Sequence, residues 1–179
     1  EGDKKLLAFH GFGRNAYDFS YFKKVLDGKY KTIGLNHFHH DQAAFPSHRV
    51  PKLPLNKSEL ANLYMKIPDL DDDQKVTLFG YSMGGKSVLL LLELFPQKID
   101  KVFLMAPDGL YVSSWYKFVV NTALGRSLFK ITLNKPNFFF KSIKLANKLA
   151  ILNNKLADFL LGQMATEQIR TKVFNTWMS

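Results

Sequence analysis

The sequence predicts an α/β fold, a parallel sheet with helices on both faces, followed by an all-helical segment. Short apolar runs alternate with helical periodicity as far as about residue 110. Two of those runs end in glycine-rich turns, His10-Gly11-Phe12-Gly13 and Gly80-Tyr81-Ser82-Met83-Gly84-Gly85, and from Tyr111 onward strand signals stop. Strands that alternate with helices pair in parallel through crossovers, and the crossovers cover both faces of the sheet.

The first strand is Lys5 to Phe9, running into His10-Gly11-Phe12-Gly13. Tyr17 to Leu26 has Phe19, Phe22, Val25 and Leu26 on one side, which predicts a helix closed by Asp27-Gly28. Tyr30 to Leu35 is the second strand, and LNKSELANLYMKI a second helix with Ser58 as its N-cap. Lys75 to Phe79 is the third strand, Lys86 to Phe95 the third helix, stopped by Pro96, and Lys101 to Ala106 the fourth strand. From Tyr111 to Ser179 only helical periodicity is visible, broken near Gly125, Lys135-Pro136 and Gly162. There Leu145, Leu149, Leu152, Leu156 and Leu160 form one apolar stripe, with Lys141, Lys144, Lys148 and Lys155 in an arc beside it that reads as a solvated face. The expected division is therefore a core of residues 1–110 and a helical subdomain of residues 111–179.

A chain of 179 residues suffices to bury a sizeable hydrophobic centre. Hydrophobic residues at 46% and a mean hydropathy of -0.12 describe a globular protein, and the longest apolar run, Val88 to Leu92, is too short for an integral membrane segment. The N-terminus shows no cleavage site of small residues, and the lack of cysteine fits a reducing compartment, so a cytoplasmic location is expected. The net charge of +10 raises the question of an anionic partner, but much of it belongs to the helical segment, and no nucleic-acid partner is expected.

Residues 75–96, KVTLFGYSMGGKSVLLLLELFP, satisfy two catalytic patterns at once. Gly80 to Gly84 is G-x-S-x-G, the elbow that lifts a serine onto a sharp turn between strand and helix. Gly80 to Ser87 is G-x-x-x-x-G-K-S, a loop that wraps nucleotide phosphates in backbone N–H groups. Both need a strand before and a helix after, so context must decide. A phosphate loop would leave His10-Gly11-Phe12-Gly13 without a role, whereas an elbow needs a second turn of that kind to supply an N–H to an oxyanion.

With both turns in this order, residues 4 to 110 resemble the α/β-hydrolase fold, and the helical segment resembles the cap that many members insert after the sixth strand. The resemblance implies that the four strands correspond to the family's third to sixth. It implies Ser82 as nucleophile, with the N–H groups of Phe12 and Met83 forming the oxyanion hole, and a small-molecule acyl substrate. No cofactor and no metal are expected. Asp108 follows the fourth strand, where some members carry the triad acid, although APDG is also an ordinary turn sequence. Trp115 and Tyr116 open a strongly aromatic stretch that is the candidate substrate-binding surface.

The family's order of serine, acid, histidine meets an obstacle, because no histidine follows His48. We expect a fragment whose polypeptide continues past Ser179 into two more strand–helix units bearing the acid and the base. Loss of catalysis with binding retained is the alternative. His10 is expected to hold the oxyanion turn by hydrogen bonding. His37 and His39, on one strand face if the second strand continues, are the first upstream substitutes for a base, and their spacing also suits a metal, though no further ligands stand out.

Overall fold

The structure, a computed structural model, describes residues 2–45, 56–67, 74–111 and 114–178, the side chains of Trp115 and Met178 excepted. The chain forms two compact units that part after Tyr111.

The first unit is built on a four-stranded, all-parallel sheet: β1 (Lys4–Phe9), β2 (Tyr30–Leu35), β3 (Val76–Tyr81) and β4 (Ile99–Met105), in the order β2-β1-β3-β4. β1 and β3 are central and buried on both faces, so Leu6 to Phe9 is an unbroken apolar run and Val76 to Phe79 is interrupted only by the buried Thr77. On one face Leu7, Phe9 and Leu78 pack with Val88 and Leu91 of α3 (Gly84–Leu94) and with Tyr64 of α2 (Lys57–Met65). On the other, Leu6, Ala8 and Phe79 pack with Phe19 and Phe22 of a 3₁₀ segment (Ala16–Phe22) and Leu26 of α1 (Lys23–Leu26). The expected α/β sheet with helices on both faces is thus present. In register, Phe9 lies opposite Leu35 on one side and Gly80 on the other, so the two glycine-rich turns leave the sheet side by side.

Local chemistry moved several boundaries. Tyr17 to Leu26 is mostly 3₁₀, because Asn15 caps it by accepting from the Tyr17 N–H and its crowded aromatic rings, poor helix formers, turn toward Phe79 at 5.3 Å. The cap of α2 is Asn56 and not Ser58. Its side chain accepts from the Glu59 N–H at 2.8 Å while its own N–H donates to Glu59 Oε2 at 3.0 Å, a reciprocal capping box. α3 starts at Gly84, two residues before Lys86.

The second unit contains α4 (Ser114–Asn121), α5 (Ala123–Asn134), α6 (Pro136–Lys148), α7 (Asn154–Gln163) and α8 (Glu167–Met178), and no strand among its described residues. Pro136 opens α6 as expected of Lys135-Pro136. The break expected near Gly125 falls at Thr122, which caps α5 by accepting from the Gly125 N–H; Gly125 itself lies inside α5, where a Cβ would lie 2.3 Å from the Phe118 carbonyl oxygen, so it lets α4 and α5 approach. The stripe from Leu145 to Leu160 is not one face. Ala150 adopts φ 56°, Asn153 caps α7, and the Asn147 amide donates to Leu152 O at 3.0 Å and to Asn154 Oδ1 at 2.9 Å, so the chain turns between α6 and α7. Tyr116, Phe129, Phe174 and Trp177 stack into an aromatic core with ring centroids 5.2–5.6 Å apart.

Candidate active site

Ser82 sits between the end of β3 and the start of α3 with φ 49°, a left-handed conformation that is strained for a side chain with a Cβ. Three backbone bonds hold it there. The Ser82 N–H donates to the Met105 carbonyl at 3.0 Å, and the Ser82 carbonyl accepts from Gly85 N–H at 2.9 Å and Asp108 N–H at 2.8 Å. The end of β4 therefore braces the turn. Gly84 must lack a side chain, since a Cβ would meet the Phe9 carbonyl oxygen at 2.0 Å, and at Gly80 a Cβ would meet Val88 at 2.8 Å. Only Ser82 and Met83 separate strand from helix, and Gly84 and Gly85 are buried inside α3. That turn is too tight for a loop that wraps phosphates, and it fits the elbow.

The turn after β1 abuts the elbow. A Cβ on Gly11 would lie 3.2 Å from the Ser82 Cβ and 3.0 Å from the Tyr81 ring. Met83, in helical conformation at the N-cap of α3, makes no backbone hydrogen bond through its N–H among the described residues, as the first N–H groups of a helix do. The helix N-terminus adds partial positive charge at the same place.

Two buried histidines bracket that first turn. His10 Nε2 accepts from the His37 N–H at 3.1 Å, so the ring proton lies on Nδ1, which donates to the Gly11 carbonyl at 2.8 Å. His10 thus holds the turn by hydrogen bonding, as the sequence suggested. His40, fully buried, repeats the arrangement: Nε2 accepts from the Gly13 N–H at 3.0 Å and Nδ1–H donates to the Phe38 carbonyl at 3.0 Å. Its ring meets Phe12 edge-on at 5.3 Å and lies 5.1 Å from the His10 ring. Sequence reasoning missed His40. The available signal was a polar loop next to a glycine turn, whose N–H groups need acceptors.

The other residues singled out in the sequence fall as follows. Asp108 is brought beside the elbow through its backbone, and its side chain is exposed. β2 ends at Leu35, so His37 and His39 do not share a strand face. His39 has φ 65° and packs on Phe45 at 5.2 Å, while His37 Nε2 is sealed from solvent with no partner among the described residues. Burial first, then the neighbouring His10 and His40, lower the His37 pKa to about 3, so it stays neutral and is a poor base. Tyr116 packs on Trp177 within the helical unit. The Trp115 side chain and His48 lie outside the described residues. The Ser82 hydroxyl makes no hydrogen bond among the described residues.

A sheet, an elbow and an abutting turn so arranged define an α/β-hydrolase core. The chain belongs to the alpha/beta hydrolase fold family, whose model matches residues 5–144. It is 37% identical over 82 residues to Methylesterase 3 of Arabidopsis thaliana, an alignment covering 42% of this chain and 31% of that protein. It thus spans less than a third of that relative's length. Among solved structures it is similar to an esterase from Exiguobacterium antarcticum (TM-score 0.52, 18% identity, 96% of this chain and 65% of the other). It is also similar to epoxide hydrolases found in metagenomes from hot environments (TM-score 0.54, 12% identity, 99% and 64%). The last two likenesses are of fold, and a fold shared by esterases and epoxide hydrolases does not by itself fix the bond attacked.

Proposed function

We propose that this chain is the nucleophile-bearing part of a serine hydrolase that cleaves an ester or related acyl bond of a small-to-medium apolar substrate. The observation that carries the reading is Ser82 held at φ 49° on a strand-to-helix turn with Gly11 against its Cβ. The similarity to a methylesterase over 82 residues favours an ester. In the proposed reaction Ser82 Oγ attacks the acyl carbon, its proton passes to a base, and the N–H groups of Phe12 and Met83 stabilise the oxyanion. Collapse expels the alcohol and leaves an acyl-enzyme that water then hydrolyses. Trp115 and Tyr116 are the proposed substrate-binding residues, and Asp108 is the candidate acid. His10 and His40 have both ring nitrogens engaged and the lowered pKa of His37 makes it a poor base, so the reading does not assign the base to any of these three.

The competing reading is a binding protein without turnover, in which the elbow holds a ligand over Ser82 but transfers no acyl group. Fluorophosphonate labelling of the whole protein separates the two. The hydrolase reading expects labelling that Ser82→Ala abolishes. Labelling that survives the substitution rules out Ser82, and inertness to every acyl probe with retained ester binding supports the binding protein.

A further inference from the structure

The positive charge is concentrated along one part of the chain. Residues 112–179 hold ten lysines and arginines against two acids, Asp158 and Glu167, and so account for eight of the ten net charges. From Gly109 to Ala157 there are eight basic residues and no acid. Within that stretch α6 presents an unusual outer face. Phe138, Leu145 and Leu149 are 74%, 58% and 61% exposed, far more than residues that pack a core. At about 100° per residue they fall within an arc of about 40°, and Lys141, Lys144 and Lys148, all exposed, fill the adjoining arc of about 60°. The inner arc is different: Phe139, Phe140, Ile143 and Ala146 are all less exposed and turn toward the unit. Ser142 lies beside the apolar strip, and its hydroxyl donates to the Phe138 carbonyl at 3.0 Å. Preceding it, α5 exposes Leu124, Leu128 and Ile131 at helical spacing.

We propose that the outer face of α6 docks the protein on an anionic lipid surface, with Phe138, Leu145 and Leu149 entering the headgroup boundary and Lys141, Lys144 and Lys148 meeting lipid phosphates. The inference goes beyond the hydrolase reading and stands whether or not Ser82 is a nucleophile. Charge complementarity selects the occupant. A band of apolar tips flanked by flexible ammonium groups, with no fixed acceptor or donor, has nothing to orient a folded protein partner, but it suits a fluid negatively charged interface. Among the described residues no helix is long and apolar enough to cross a membrane, so the contact is one of surface docking.

The experiment is co-sedimentation of the whole protein with phosphatidylcholine vesicles and with vesicles containing about 30% phosphatidylglycerol, at low and high salt. Each lysine near such a surface contributes about fivefold in affinity, so Lys141→Glu with Lys144→Glu and Lys148→Glu should weaken binding to anionic vesicles by about a hundredfold or more. Phe138→Ser with Leu145→Ser and Leu149→Ser should weaken binding to the same vesicles by at least about tenfold while leaving the salt dependence in place. Circular dichroism of both variants verifies that the helices persist. Because the chain has no cysteine, Ser142→Cys carrying an environment-sensitive dye reports on the face directly. We expect a blue shift only when anionic vesicles are added. No binding to anionic vesicles at low salt, equal binding by the lysine variant, or a dye already in an apolar environment before vesicles are added would each overturn the proposal, the last because another part of the protein then covers the face.

Discussion

Replacing His40 dissects how the first glycine turn is held. In the folded protein its Nε2 accepts from Gly13 N–H and its Nδ1–H donates to the Phe38 carbonyl, both at 3.0 Å, from a fully buried ring. His40→Leu leaves both backbone groups without a partner. Each unsatisfied group costs about 1–3 kcal/mol when buried, and Gly13 lies on an exposed turn where water can partly replace the ring, so the sum is about 2–4 kcal/mol. Glutamine places its terminal amide near the position of Nε2 and asparagine near that of Nδ1. His40→Gln should therefore keep the bond to Gly13, and with it the Phe12 N–H in place, whereas His40→Asn should release the turn. Loss of one oxyanion donor costs roughly 10²–10³ in kcat, so on the proposed role of the Phe12 N–H partial misplacement should lower kcat at least about tenfold in the Asn and Leu variants, with KM little changed. The assay is urea denaturation beside steady-state hydrolysis of an activated ester by the whole protein. Rescue by Asn but not Gln, or three variants equal to the parent in stability and kcat, would refute the reasoning.

Other consequences follow from the same geometry. His37 is neutral in the folded state with a pKa lowered to about 3, against about 6.5 when unfolded, so below about pH 6.5 only the unfolded chain gains that proton and stability falls with pH. The loss should reach about 2 kcal/mol by pH 5 and at most about 4–5 kcal/mol near pH 3, and urea midpoints of His37→Gln should show a shallower decline than the parent. Gly84→Ala drives a Cβ to 2.0 Å from a backbone carbonyl oxygen that cannot yield, and should cost more than about 3 kcal/mol or prevent folding. Gly162→Ala, with nothing within 4 Å in α7, should instead stabilise by up to about 1 kcal/mol in thermal unfolding. Calorimetry with Mg²⁺ and ATP or GTP should show no saturable binding that depends on Lys86, because Gly84 and Gly85 are committed to α3; such binding would revive the phosphate-loop reading.

Strand positions were legible in the sequence because β1 and β3 are buried on both faces and leave mostly apolar runs such as Leu6 to Phe9. The juxtaposition of the two turns was legible because a Cβ at Gly80 or Gly84 would collide with α3 or β1, and one at Gly11 would crowd Tyr81 and Ser82. Less was visible where side chains compete for backbone groups. Asn56 took the cap from Ser58 because Glu59 could answer it reciprocally, and Asn147 together with Asn153 ended an apolar stripe that periodicity alone would continue. His40 was opaque for a related reason: its function is set by the Gly13 N–H, 27 residues away in sequence.

The most direct test of the central claim is intact-mass spectrometry of the whole protein, quenched during turnover of p-nitrophenyl butyrate, followed by peptide mapping. The account predicts an added butyryl group on the peptide that contains Ser82, absent in Ser82→Ala. Turnover with the acyl group on any other residue, or turnover that persists in Ser82→Ala, would contradict it.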